Sequence, residues 1–272
     1  MTEAPDPRTE HGRSDRTKLA LLAAGPAWGR HLAPLLRRGE VGVLSGLAQG
    51  LRFPARALPP THAHTQLLLR GLLEVPVQEA LRRTLPAGGV LWDVGANVGF
   101  FALLGARLAG PAGRVVAWEP VAAVAEGARE AALRSGLAER VEVREAAVGA
   151  AAGTEELLVV RDASWSHLAS RGNAAGTTSR SVAVATLDAA LAKGTVRPDV
   201  VKLDVEGSEG DVLRGAQRLL ADVRPALVIE LHETATEVCA LLDAAGYAAE
   251  RLDGAGAPHD APAHAHLLAR PR

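Results

Sequence analysis

From residue 88 onward, short apolar runs alternate with stretches that are apolar on one side only. The runs at 90–94, 114–118, 141–143, 200–205 and 226–231 have strand length and are rich in Val, Leu and Ile. The stretches at 99–108, 121–135, 210–220 and 237–245 repeat apolar positions at helical spacing. Strand and helix in alternation predict right-handed βαβ units, so the fold class is α/β with a mostly parallel sheet. Residues 150–197 break the rhythm. There, 156–160 and 181–185 read as strands of an insertion, separated by a Gly/Ser/Asn/Thr-rich loop. Residues 264–269 supply a last strand, expected to be antiparallel at the sheet edge. Ahead of the alternation, 67–73 and 77–85 read as helices, the second with Val77, Ala80, Leu81 and Leu85 on one face. The expected division is a disordered N-terminus over 1–16, a helical extension over 17–85 capping the substrate side, and an α/β domain over 86–272.

Composition narrows the picture only slightly. A chain of 272 residues with 48% hydrophobic residues can bury one large domain, and with 3% aromatics its core must be Leu, Val and Ala. Net charge is −1 but uneven: residues 1–92 carry 12 Lys/Arg against 7 Asp/Glu, the remainder 18 against 24. That bias falls short of a clustered basic face, which disfavours a nucleic-acid partner. Cys239 is the single cysteine, so no intramolecular disulfide is possible; its apolar surroundings predict packing. The apolar stretch 19–24 stops at Gly25 and Pro26, too short to span a bilayer. A cytoplasmic protein without membrane contact is the expectation, with a homo-oligomer left open. His62 and His64 lie in a predicted loop with no third ligand nearby and read as surface histidines.

The strongest local signal is VLWDVGANVG at 90–99, a strand, a tight glycine turn and a helix start. A dinucleotide fingerprint would place glycine where Asn97 stands. Asp93 just before the turn would repel a pyrophosphate but suits a cationic ligand. The turn, Gly95, Ala96, Asn97 and Gly99, therefore favours S-adenosylmethionine, which carries an ammonium and a sulfonium and no phosphate. Glu119 follows the next strand at about the ~20-residue spacing expected of an acid that grips ribose hydroxyls. Glu145 and Ala146 end the third strand and fit an adenine slot, though a plain loop satisfies the same residues. Glu74 is a further candidate to face the cofactor, against a solvated helix-end acid.

DVVKLDVEG at 199–207 is unusual for a central strand, because Lys202, Asp204 and Glu206 share one face. Charges inside a sheet need partners or a cleft. The next strand ends with Glu230 and His232, also on one face. Lys202 with Glu230 reads as a structural ion pair. Asp204, Glu206 and His232, nearer the strand ends, read as the chemical site, with Asp204 also within reach of the cofactor.

These segments carry a resemblance. LWDVGANVGFF (91–101), VAWEP (116–120), AAVG (146–149), TLDAAL (186–191), VKLDVEGSE (201–209), VLRGA (212–216) and PALVIELH (225–232) resemble the FkbM family of methyltransferases, in one order over roughly 66–270. GLLEVPV (71–77) is similar to that family's lead-in, with Leu73 where an aromatic is usual. The resemblance implies a Rossmann-like, doubly wound, mostly parallel seven-stranded sheet and methyl transfer to an oxygen, often of a sugar or polyketide natural product. It implies cofactor contacts at Asp93, Gly95, Asn97, Gly99 and Glu119. The expected partner is a small-molecule acceptor. His232, with an ordinary pKa of about 6.5, is the expected general base, oriented by Asp204 and Glu206 or replaced by them. Two carboxylates without a clear third ligand predict no metal. Trp165 and His167, in the polar loop 161–180, fit an acceptor-binding lid; a plain insertion fits equally. Nitrogen acceptors and, more distantly, a nicotinamide oxidoreductase on the same fold remain alternatives.

Overall fold

The computed structural model describes residues 39–58, 63–159, 167–168 and 178–272. At its centre is β3 (Val90–Val94), buried at every position. It pairs in parallel with β4 (Arg114–Trp118) on one side and β10 (Val200–Leu203) on the other. β5 (Val141–Arg144) extends the sheet beyond β4, and β11 (Ala226–Glu230) extends it beyond β10. The sheet has seven strands in the order β12 (Tyr247–Arg251), β13 (His266–Pro271), β11, β10, β3, β4, β5. Only β13 runs against the rest, inserted between β11 and β12. The expected last strand is thus antiparallel but internal. The edge is β12, whose sequence YAAER lacks the apolar run that marks the inner strands.

Alternation along the strands sorts side chains onto two cores. Leu91, Val115, Ala117, Val200 and Val228 face helices α2 (Val75–Thr84), α3 (Phe100–Leu108) and α4 (Ala122–Arg134). Trp92, Val94, Val116, Trp118, Val201, Leu203 and Ile229 face α5 (Leu187–Ala192), α6 (Glu209–Arg214) and α7 (Ala235–Ala244). Helices on both faces make the sheet doubly wound. Trp92 and Trp118 meet edge to face at 5.2 Å. On the first face the same alternation buries Asp93 and Lys202, register neighbours across β3 and β10. The chain leaves β3 towards β4 and β5, then returns to β10 on β3's other flank. The sheet's switch point therefore lies between β3 and β10, where open α/β sheets bind ligands.

The region ahead of the sheet differs from the expected helical extension. α1 (Ala63–Arg70) and α2 are helices, but 40–54 contains a hairpin of β1 (Glu40–Gly42) and β2 (Arg52–Pro54). Arg52, Arg134 and Glu40 tie it to α4, with Arg134 2.9 Å from Glu40. Three-residue strands leave no readable alternation, which is why the pattern missed them. α1 takes in His64, expected in a loop. The insertion is a second sheet in the order β6 (Ala147–Val148), β9 (Thr178–Ala185), β7 (Gly153–Val159), β8 (His167–Leu168). Among the described residues no helix is long and apolar enough to cross a membrane.

Candidate active site

The turn after β3 is built from close backbone contacts. Gly95 has φ +82°, and a Cβ there would lie 1.7 Å from the Asp204 carbonyl oxygen. Glycine at 95 lets the β3 turn and the end of β10 touch. Asn97 takes φ +51°, which asparagine tolerates better than most side chains. Its backbone N–H donates to Glu119 at 3.0 Å, and the Val121 N–H donates to the other Glu119 oxygen at 2.8 Å. Glu119 is thereby aimed at the turn. Burial pushes its pKa up to about 7 against those two donors. Gly99 begins α3 with φ +85°.

Beside the turn is a cleft lined by Gly95, Asn97, Phe101, Asp204, Glu206 and His232, with Glu74 and Glu230 also on its wall. Lys202 lies at its base, 3.0 Å from Asp204 and 3.9 Å from Asp93, and 4.7 Å over the Phe101 ring. The expected Lys202–Glu230 pair is not the one formed. Lys202 turns to the carboxylates on its own strand end and on β3, and Glu230 turns to histidines. Burial raises the Asp93 pKa to about 6 despite Lys202. Burial also opposes the charge on Lys202, but Asp204 and Asp93 overcome it and hold the ammonium above its ordinary range.

Four carboxylates surround His232. Its Nδ1 is 2.9 Å from Glu209, and its Nε2 is 3.4 Å from Glu206, 3.6 Å from Glu230 and 3.9 Å from Asp204. Glu209 is itself fully buried and accepts from Thr234 Oγ1 at 2.7 Å and the Gly207 N–H at 2.9 Å. Burial disfavours the imidazolium, but Glu209, Asp204 and Glu206 outweigh it and raise the His232 pKa to about 9. Burial lifts Glu206 to about 7, with neighbouring carboxylates adding to the effect and His232 opposing it.

Sequence reasoning placed Asp204, Glu206, His232, Glu74, Gly95, Ala96 and Asn97 around one cleft, and the structure brings all seven onto its wall. Asp93, Gly99 and Glu119 do not line it, although Asp93 pairs with Lys202 and Glu119 holds the Asn97 N–H. Glu145 is exposed and Ala146 half-buried, and neither lines the cleft; the chain turns there into β6 and the second sheet. Trp165 lies outside the described residues, and only the backbone of His167, in β8, is placed. Glu209, Asp253 and His266 were missed. Glu209 opens α6, a six-residue helix too short for periodicity to resolve, and Asp253 and His266 arrive from the last strand pair, far away in sequence.

With this geometry in view, the comparisons decide the family. The profile of the methyltransferase FkbM domain matches residues 93–261. The chain belongs to the FkbM methyltransferases. It is therefore an S-adenosylmethionine-dependent enzyme. No curated protein matches it significantly in sequence. Similar solved structures include the methyltransferase FkbM of Methylobacillus flagellatus KT, 18% identical over 79% of this chain and 56% of that one, TM-score 0.47. An O-methyltransferase of Bacillus cereus in complex with SAH is 14% identical over 97% and 99%, TM-score 0.48. Cofactor-bound Rv0187 from MTB is 18% identical over 98% of each chain, TM-score 0.46.

The residues of this FkbM methyltransferase fit that cofactor. Asp93, Asp204 and Glu206 set a negative field beside the Gly95 turn, which suits a sulfonium and an ammonium and opposes phosphate. The Asp93 carboxylate is fully buried, with the Lys202 ammonium 3.9 Å away. When bound, S-adenosylmethionine supplies an electrophilic methyl group on a cationic sulfur.

Proposed function

We propose that the enzyme O-methylates a hydroxyl of a small-molecule natural product, a sugar or a polyketide, with a carboxylate of the cleft as general base. The observation that carries this reading is Glu206, half-buried on the cleft wall with its pKa pushed up to about 7 by burial. A hydroxyl is a poor nucleophile until a base takes its proton during attack, and a base is most effective when its pKa lies near the working pH. Glu206 meets that condition. His232, the base expected from its ordinary pKa, has carboxylates at both ring nitrogens, so both nitrogens are held as donors. Its role is to orient Glu206 and to stabilise the carboxylate before proton transfer. Positioning of the hydroxyl in line with the methyl group contributes most of the rate, on the order of 7–11 kcal/mol.

An amine acceptor suits this cleft less well. Surrounded by Asp204, Glu206 and Glu230, an amine is stabilised as ammonium, which has no lone pair to attack. The same carboxylates repel the phosphates of a nucleic acid. The test is incubation with methyl-labelled donor and panels of glycosides, polyketide alcohols, amines and RNA, read by mass spectrometry. Label on oxygen of a small molecule is the expected result; label on nitrogen or in RNA would refute the proposal. In Glu206→Gln, kcat falls by roughly 10²–10⁴.

A further inference from the structure

A second constellation lies at the inner end of the cleft, where three elements remote in sequence meet. Glu74 precedes α2, Glu230 ends β11 and His266 opens β13; Glu230 and His266 are cross-strand partners in the antiparallel register. Glu74 Oε2 is 3.5 Å from His266 Nε2, and Glu230 Oε2 is 3.6 Å from the same nitrogen. The three ligand atoms lie within 4.8 Å of one another. These separations are those of long ion pairs, beyond the ~2.7–3.2 Å of a well-formed hydrogen bond. His266 is 8% exposed, and its Nε2 and Glu74 Oε2 are buried, with these long ion-pair contacts between them. The other ring nitrogen is fixed: Nδ1 is 2.9 Å from Asp253, whose carboxylate also accepts the His266 backbone N–H at 3.1 Å. Asp253 thus orients the ring so that Nε2 points at the two glutamates.

We propose that Glu74, Glu230 and His266 bind a divalent transition-metal ion of the zinc or manganese type. Around an ion with bonds of about 2.0–2.2 Å, neighbouring ligands in a tetrahedral set stand ~3.3–3.6 Å apart, which is the separation of each glutamate oxygen from Nε2. An imidazole with its far nitrogen on a carboxylate is the usual form of a metal-binding histidine. One nitrogen donor with two carboxylates favours such an ion over magnesium or calcium, which prefer oxygen alone. Three protein ligands leave a position open, and Glu74 and Glu230 both line the cleft, so that position faces it. This set has no signature in the sequence, because only folding brings β13 and the residue before α2 together. The site shares Glu230 with the acceptor end of the cleft, and direct metal titration tests it without any turnover.

The test is titration of the chelator-stripped full-length protein with Zn²⁺ alone, against a chromophoric chelator. One equivalent is expected to bind. Asp253→Asn weakens it by roughly 10–100-fold. His266→Ala and Glu74→Gln each abolish it, with thermal melts confirming that both variants fold. Glu206→Gln and His264→Ala leave it intact, which separates this site from the two neighbouring trios that share His232. Absence of stoichiometric binding by the wild type overturns the proposal. So does binding that survives Glu74→Gln, or binding lost only in His264→Ala.

Discussion

Glu119 and Gly95 show how single residues shape the turn beside the cleft. Glu119 is 7% exposed, and its folded pKa of about 7 stands above the ordinary 4.5. A carboxyl with a raised folded pKa contributes stability that is fully present below the unfolded value and lost as pH rises through the folded one. The apoprotein should therefore lose on the order of 2–3 kcal/mol from this group between pH 4.5 and 7. Thermal melts should show that decline in the wild type and a smaller one in Glu119→Gln. The same variant should bind S-adenosylmethionine about 10–100-fold more weakly in calorimetry, because a charge-assisted acceptor of ribose hydroxyls is lost. Unchanged affinity would remove Glu119 from the cofactor site. Gly95→Ala places a methyl 1.7 Å from the Asp204 carbonyl at a positive φ, and should cost more than ~1 kcal/mol and most cofactor binding. Both residues were legible as types in the sequence. The buried donors that aim Glu119 were not, because the Asn97 and Val121 N–H groups depend on the turn's backbone angles.

Elements contribute by presenting ends, and those ends are held by residues that touch no ligand. Thr186 caps α5, accepting from the Ala189 N–H at 3.0 Å. Asp188 accepts from the N–H groups of Arg218 and Leu219 at 3.0 and 2.8 Å. The TLDAAL segment is thus a splice between α5 and the turn after α6. Thr186→Ala should cost about 1 kcal/mol in denaturant unfolding and leave the donor KM unchanged. Glu209 is a positioning residue of another kind, at the start of α6. Glu209→Gln loosens His232, so kcat should fall and the acidic limb of its pH profile should shift, with donor KM nearly constant. A variant that merely lost stability would keep its pH profile. Long amphipathic helices and fully apolar strands were readable one by one. β1, β2 and β12 were not, because strands of three residues, or with a solvated edge, carry no apolar run.

Across the whole molecule, the cleft is a shared property of β3, β10, β11, β13 and the segment before α2. Asp93, Asp204, Glu206 and Glu230 face Lys202, His232 and His266 in one network, so its titration belongs to the assembly. With Glu206 as base, kcat should rise about tenfold per pH unit below about 7 and level off above it, in steady-state assays with saturating donor. A profile flat from pH 5.5 to 8 would point to another base. Read by itself, the chain determined that an α/β sheet forms, that a carboxylate-flanked glycine turn follows its central strand, and that charged residues sit at two strand ends. These are local properties of spacing and hydrophobic period, written over five to ten residues at a time. Which charges meet was decided only by tertiary structure. Lys202 chose Asp204 over Glu230, His232 became enclosed by carboxylates, and His266 arrived beside Glu74 and Glu230. The physical reason is that pairing among buried charges depends on strand order, register and desolvation, and all three exist only once the sheet has closed around them.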